Sequence, residues 1–557
     1  MFLSPLLFLL YWLLLGTLAV GLIVRWCPAL EKLAAVLVAV GALLIWLGLR
    51  WALPISLTLP QWSDTLSVPH WAWQLDEVTW QLSGLLLLMI TAVFLALWSD
   101  ASSDQAQIEE DSLPARRQTN FILFVACAAL VTIWAATLPS LLVGWFVLLG
   151  VWFGLFLLGA GDDWAAHLPK IIWHLVSLFS LWFVGIWISL NGSDSLVVGD
   201  GTAVTTAILL AAFVQLGVWP AHKWRPSTQI ASLPVAWLLH TVPPLIGVTV
   251  LVQLTRVNNM SLDGSLGFTA IGLVGFLVSV AMLWRHLVNL ERAAGWAATA
   301  QASLTFLIGM WGGVEALLAA APVLVLATGI LFLGAKRPLS RPRVLWRYGW
   351  RAIAPVVALA AVAGVPLTAG FAAYVHLYDG WIQDGSGILL MLAALLHLLL
   401  MTAVYQIIRG VKPEAVEAAV ADASSEEVID GDESERPLGL SMMFPDAALL
   451  LLGMMLLVNG RLAILGQLGQ LHWLSWVALL LTIIVAGLLS RFLQQEQSIW
   501  FNWHEMLPSR LPLRQLRDSF YRLFEFILQA LRDAVLILEG ELGLLWLFGI
   551  VVLFLLL

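Results

Sequence analysis

Four histidines, His174, His240, His376 and His397, lie within or beside long apolar stretches, and they are the residues best suited to chemistry in this chain. An imidazole titrates near neutrality, so one held among apolar side chains can take up a proton and pass it along a chain of water. The same ring can serve structure alone, by hydrogen bonding between helices. Other chemistries have no footing. No glycine-rich phosphate loop follows a strand and neither CxxC nor HExxH occurs, so no cofactor and no metal are implied. Cys27 and Cys127 stand at different depths of the apolar pattern and cannot meet as a disulfide.

The elements that must hold these histidines are membrane helices. The chain is 61% hydrophobic and 11% charged, with a mean hydropathy of +0.93, whereas a soluble domain carries roughly 25% charged residues. A span needs about 20 mostly apolar residues. Sixteen such runs are predicted, near 3–24, 31–52, 78–98, 119–138, 140–160, 169–190, 203–220, 232–254, 266–285, 293–313, 315–335, 352–377, 387–408, 442–460, 472–493 and 541–557. The expected fold is an all-α polytopic membrane protein. With the N-terminus outside, every one of the 27 basic residues except Arg50, Arg256 and Arg461 falls on the cytoplasmic side, the division that membrane insertion favours. The first run is followed by a second span and has no small-residue cleavage site, so it reads as a span and not a signal peptide. Both termini are expected outside.

Two further features follow from composition. The stretch 409–440 carries nine acidic residues against Lys412 and Arg436; it reads as a disordered cytoplasmic loop or as a docking tail for a basic partner. The 30 tryptophans, including Trp26, Trp51, Trp98, Trp219, Trp224 and Trp500 near span ends, read as an interfacial belt with core packing, in preference to a pigment or sugar platform.

Helix breakers interrupt two spans. Pro220 stands in Val218-Trp219-Pro220-Ala221-His222 of the seventh, and Pro366 in the run Gly364 to Phe371 of the twelfth. Each break frees backbone groups that protein, water or an ion must satisfy. Breaks five spans apart suggest two inverted five-helix repeats, since five is odd; prolines that merely kink a packed helix are the alternative.

These residues carry a resemblance. Pro220, His222, Trp224 and Pro226 stand as P-x-H-x-W-x-P, followed by Pro234 and His240. The pattern resembles the signature joining spans 7 and 8 of the antiporter-like membrane subunits of proton-translocating NADH:quinone oxidoreductase (respiratory complex I), shared with the Mrp cation/proton antiporters and the membrane subunits of related bicarbonate-uptake complexes. Leu75-Asp76, Val143-Gly144-Trp145, Gln301, Leu331-Phe332-Leu333 and Gly364 to Gly370-Phe371 resemble further pieces of that family, in the same order along nearly the whole chain. The resemblance implies proton movement between buried ionisable groups, and there this chain departs. The family's glutamate of span 5 falls on Phe146, the lysine of span 7 on Gln215, the histidine and lysine of span 11 on Leu324 and Thr328, and the lysine of span 12 on Tyr374; only the histidine of span 8, at His240, remains. An intramembrane charge costs at least about 2.5 kcal/mol to keep, and its loss should remove the relay along with the cost.

From Leu513 to Leu538 apolar residues recur at three- and four-residue steps, with Arg514, Arg517, Arg522 and Arg532 largely opposite. Such an amphipathic helix lies on lipid headgroups or across a neighbouring subunit, and the resemblance favours the brace. The expected organisation is therefore helices 1–3 in 1–118, a first five-helix repeat in 119–254, a second in 266–408, the acidic loop 409–440, helices 14 and 15 in 441–495, a lateral helix in 508–538 and an anchor in 541–557. The expected protein is a subunit of a bacterial energy-converting complex in the cytoplasmic membrane, with no catalytic site of its own, whose partners are other integral membrane subunits and the lipid bilayer, not nucleic acid. Its path is expected to be disabled, its role structural. The alternatives are an active proton or cation transporter that uses Gln215, His240, Tyr374 and the other histidines with ordered water, and the membrane half of an inorganic-carbon uptake pair.

Overall fold

The computed structural model describes residues 4–27, 30–58, 71–99, 115–159, 168–190, 202–224, 233–258, 266–287, 289–334, 353–409, 440–465 and 472–499. The acidic loop between Arg409 and Leu440, the lateral helix 508–538 and the span 541–557 lie outside the described residues. The protein is a multi-pass helical membrane protein. Among the described residues eight helices are long and apolar enough to cross a bilayer, and six shorter apolar helices accompany them. Helices dominate because a chain in hydrocarbon must satisfy its own backbone.

In chain order the helices are α1 (Pro5–Trp26), α2 (Glu31–Leu49), α3 (Glu77–Ser99), α4 (Ala115–Ile133), α5 (Leu138–Gly159), α6 (Leu168–Leu190), α7 (Thr202–Leu216), α8 (Leu233–Asn258), α9 (Leu266–Arg285) and α10 (Leu290–Trp311). They continue as α11 (Gly313–Gly334), α12 (Ile353–Ala363), α13 (Ala369–Gln383), α14 (Gly387–Arg409), α15 (Leu440–Leu465) and α16 (Trp473–Ile499). The seventh predicted span is corrected at its end: α7 stops at Leu216, four residues short of Pro220. The twelfth comprises two helices, α12 and α13, separated by the residues around Pro366.

Helix α8 lies at the centre, buried along its length, and α3 packs between it, α2, α4 and α15. Trp46 of α2 and Trp80 of α3 stack at 4.1 Å, and each indole N–H donates to the other residue's carbonyl, at 2.8 and 3.0 Å. Gly84 leaves the room this needs, because a Cβ there would strike the Trp46 ring.

The fold is not purely helical, which the sequence pattern did not anticipate. Ile55–Thr58 (β1) and Ala72–Leu75 (β2) form an antiparallel hairpin in the register Ile55 with Leu75. The link between α4 and α5 lines its edge, with the Gln74 amide donating to the Trp134 carbonyl at 2.7 Å and the Ala136 amide to the Ala72 carbonyl at 2.9 Å. Asp76 then caps α3: its carboxylate accepts from the Thr79 amide at 2.9 Å while Thr79 Oγ1 accepts from the Asp76 amide, a reciprocal capping box. Arg256, at the end of α8, donates to Asp76 Oδ2 at 2.6 Å, so the hairpin end of the bundle clasps α3, α4 and α8 together.

This clasp has a pH signature. Burial raises the Asp76 carboxyl, but the Thr79 amide, the Arg256 hydrogen bond, the Thr79 hydroxyl and the guanidinium charge outweigh it and hold the group below its ordinary 3.8. A carboxyl depressed on folding adds stability above its unfolded pKa, lost as pH falls through the folded one. The Asp76→Asn protein is therefore expected to melt below the wild type at neutral pH, with the gap closing as pH drops below about 4. Melting curves in detergent across pH measure this, and a gap that persists unchanged in acid contradicts it.

Candidate functional site

The two breaks end their helices in the same way. In α7 the Gly217 amide donates to Val214 at 3.0 Å and the Val218 amide to Phe213 at 3.4 Å; in α12 the Gly364 amide donates to Ala361 at 3.1 Å and the Val365 amide to Ala360 at 2.8 Å. Gly217 and Gly364 have φ of 65° and 69°. This is the Schellman pattern, in which a left-handed glycine returns two amides to the last turn. Pro220 and Pro366 follow the turns, so glycine and not proline stops each helix. Gly275 of α9 allows close approach at the first break, where a Cβ would lie 2.6 Å from Val218 and 3.0 Å from the Trp219 carbonyl. Pro234 sits in the buried first turn of α8.

The positions expected to carry a relay are placed differently from one another. Phe146 is 66% exposed on the flank of α5, whereas Gln215 is 2% exposed in the last turn of α7, so the structure does not bring them to one site. The neighbouring Trp145 is buried, and Gly144 packs against Thr132 of α4 with no room for a Cβ, which fixes the face Phe146 presents. Gln215 hydrogen-bonds His174 of α6, whose ring lies nearly parallel to Trp152 at 6.3 Å. An amide holds no excess proton at physiological pH. His240, in α8, has Nδ1 2.7 Å from the Ala236 carbonyl; since a carbonyl only accepts, Nδ1 carries the hydrogen. The ring lies 5.1 Å from Phe332.

Leu324 lies within a π turn over Val323–Ala327 of α11, and Thr328 directly follows it. Such a turn widens the helix and leaves carbonyls without their usual partners. Here side chains add to the backbone, and the Val325 carbonyl also accepts the Thr328 amide and, at 3.1 Å, Thr328 Oγ1. Thr328 Oγ1 donates to the Leu324 carbonyl, and Trp237 of α8 donates its indole N–H to the Val325 carbonyl at 3.0 Å. Gly329 leaves space for that indole. Trp237 was not legible as a special residue, since it sits three residues before His240 in an apolar run; Pro322, at the start of the turn, was the available signal.

The second break gathers a buried polar group. Tyr374 of α13, with no exposed surface, pairs its hydroxyl with the Gln301 amide of α10, 3.1 Å from Nε2 and 3.2 Å from Oε1. Its ring meets His397 of α14 edge-on at 4.4 Å. His397 Nε2 lies 2.8 Å from the Val362 carbonyl and Nδ1 3.2 Å from the Tyr378 hydroxyl. The carbonyl fixes the hydrogen on Nε2, which in the neutral ring leaves Nδ1 to accept from Tyr378. Tyr378 also reaches Thr482 of α16. One residue on, the buried Asp379 accepts from the His472 amide at 3.1 Å and from Ser475 Oγ at 2.8 Å, capping α16. The sequence had singled out Tyr374 and His397 but neither Tyr378 nor their connection. His376, on the same helix, is half-buried.

This arrangement ties α10, α12, α13 and α14 together through buried hydrogen bonds. Transfer across an imidazole needs an exchangeable group at each nitrogen, and His397 meets an amide carbonyl at Nε2. The Tyr374 hydroxyl likewise ends on an amide.

No family model matches the sequence, and no curated protein matches it. Solved structures do match. A chain of the membrane-bound sulfane sulfur reductase, an archaeal respiratory membrane complex, superimposes with a TM-score of 0.63 at 15% identity, over 98% of this chain and 99% of that one. A chain of the Mrp complex from a Dietzia species gives 0.65 at 14% identity, covering 99% of this chain, which spans 62% of the length of that one. A chain of respiratory complex I from Thermus thermophilus with bound aureothin gives 0.56 at 20% identity, over 83% and 98%. The protein thus has the fold of antiporter-like membrane subunits, as the order of its motifs led one to expect.

Proposed function

We propose that this protein is a membrane subunit of a multi-subunit complex of the complex I or Mrp type, in a bacterial cytoplasmic membrane, and that it braces neighbouring membrane subunits while its own proton path is closed. The hairpin end faces outside in this reading, with both termini, and residues 119–254 and 266–408 form two inverted repeats whose broken spans close alike. The observation that carries the closed path is the dead end at His397, whose Nε2 meets the Val362 carbonyl, at the break where the family holds a lysine. The lateral helix 508–538 is the brace, and other integral membrane subunits are the partners.

A second reading, a rerouted transporter, draws on the same buried series of Gln301, Tyr374, His397 and Tyr378. Translocation by the assembled complex in proteoliposomes separates the two. With the path closed, His240→Ala and Gln215→Leu leave transport within about twofold of wild type, whereas loss of a positioned proton-transfer group from a live path costs about 10² to 10⁴ in rate. Subunit content is checked alongside, and a large transport loss in a fully assembled His240→Ala complex sinks the brace.

A further inference from the structure

We propose that the Tyr374 ring is a seal, the side chain that keeps water out of the polar centre at the second break; the inference rests on the closed path argued above. The ring fills a gap that its glycine neighbours leave open. Two of its neighbours are glycines: a Cβ on Gly364 would lie 2.6 Å from Tyr374 Cδ2, and one on Gly370 3.1 Å from Cε2. The third wall is the His397 ring at 4.4 Å, and the hydroxyl closes on Gln301 at 3.1 Å. Around the ring stand groups that water would solvate readily, namely the Gln301 amide, the His397 imidazole with the Val362 carbonyl it meets, and the Ala361 carbonyl beside Gly370.

Those groups do not stand alone. From His397 the polar series reaches Tyr378, and the next residue on α13, Asp379, lies within hydrogen-bond distance of His472, which is more than half exposed. The break itself surfaces at Pro366 and Leu367, the latter held at φ 76° and 65% exposed. A cavity left in place of the ring would be polar and roomy enough for water, unlike an apolar void of similar size, which stays dry. Hydration there bypasses the carbonyl at which the His397 path stops, because water can donate where Val362 cannot.

The seal lies in the ring and not in the hydroxyl, and that distinction makes the test. The full-length chain, with the subunits that copurify, is reconstituted in proteoliposomes loaded with a pH-sensitive dye, and proton entry is measured under an imposed potential. Wild type and Tyr374→Phe are expected to be tight. Tyr374→Ala is expected to raise proton entry about 10²-fold, the low end of what a connected proton-transfer group contributes, with potassium entry unchanged, which sets a hydrated path apart from a disrupted protein. Where Tyr374→Ala does not elute as wild type does, Tyr374→Val decides. Tight, properly eluting truncations overturn the seal and leave the closed-path reading standing, and so does a leaking Tyr374→Phe. A wild type that already conducts overturns the closed path, and the seal with it.

Discussion

Gly370→Ala is expected to remove the folded subunit from the membrane almost entirely. A Cβ at this position would collide with the Ala361 carbonyl oxygen and lie 2.9 Å from the carbonyl carbon. Both are main-chain atoms, so no rotamer change relieves the contact. That oxygen also accepts the Gly364 amide of the Schellman turn at 3.1 Å, and the start of α13 can withdraw only by parting from α12 and shifting Tyr374. Overpacking costs typically about 1–3 kcal/mol where side chains can yield, and here backbone meets backbone, so the cost is expected to exceed that range. Domain stabilities are themselves only about 5–15 kcal/mol. The amount of subunit in membranes and its melting temperature in detergent measure the effect. A Gly370→Ala protein that accumulates and melts as wild type does would mean that the breaks do not hold the helices as described.

Trp237→Ala should be nearly as damaging, for a different reason. The indole is fully buried, occupies the space over Gly329 and supplies the hydrogen bond to the Val325 carbonyl. Truncating a buried tryptophan costs about 3–5 kcal/mol; the Val325 carbonyl keeps the Thr328 amide and hydroxyl as donors, so the lost indole hydrogen bond adds only about 0.5–1.5 kcal/mol. Trp237→Phe keeps most of the ring and loses the donor, so its loss should lie near the second figure alone. Detergent melting of the two variants separates packing from hydrogen bonding; equal losses would show that the indole N–H contributes the whole effect, and no loss in Trp237→Phe that it contributes nothing.

Much of the fold was legible because hydrocarbon imposes one rule on the chain, so apolar runs of span length translate into helices. The breaks were legible through Pro220 and Pro366, but their positions were set by Gly217 and Gly364, because a left-handed residue ends a helix where it stands and a proline only forbids its resumption. The recurrence of Gly-Val ahead of both prolines was the signal. The hairpin escaped notice because Ile55–Thr58 and Ala72–Leu75 are short and far apart in sequence, and pair through a geometry that no local period announces. Phe146 could not be assigned a face, since α5 is apolar all round, as membrane helices are on every side. The series from Gln301 to Tyr378 joins α10 to the later pair α13 and α14, 73 residues on between Gln301 and Tyr374, and composition carries no trace of such a meeting.

The packing of α3 has a consequence for how the protein is made. Its neighbour α15 emerges from the ribosome only after all the spans between them, so during synthesis α3 waits with lipid where α15 will later lie. A helix that must wait cannot leave its hydroxyls to a partner that does not yet exist. Ser83 donates to the Thr79 carbonyl at 2.6 Å and Thr91 to the Leu87 carbonyl at 2.8 Å, each within α3 itself. Ser83 then takes up the indole of Trp134 at 2.7 Å once α4 has been translated. The early helix is thereby chemically complete at insertion, and later helices add to its bonds without first having to supply them.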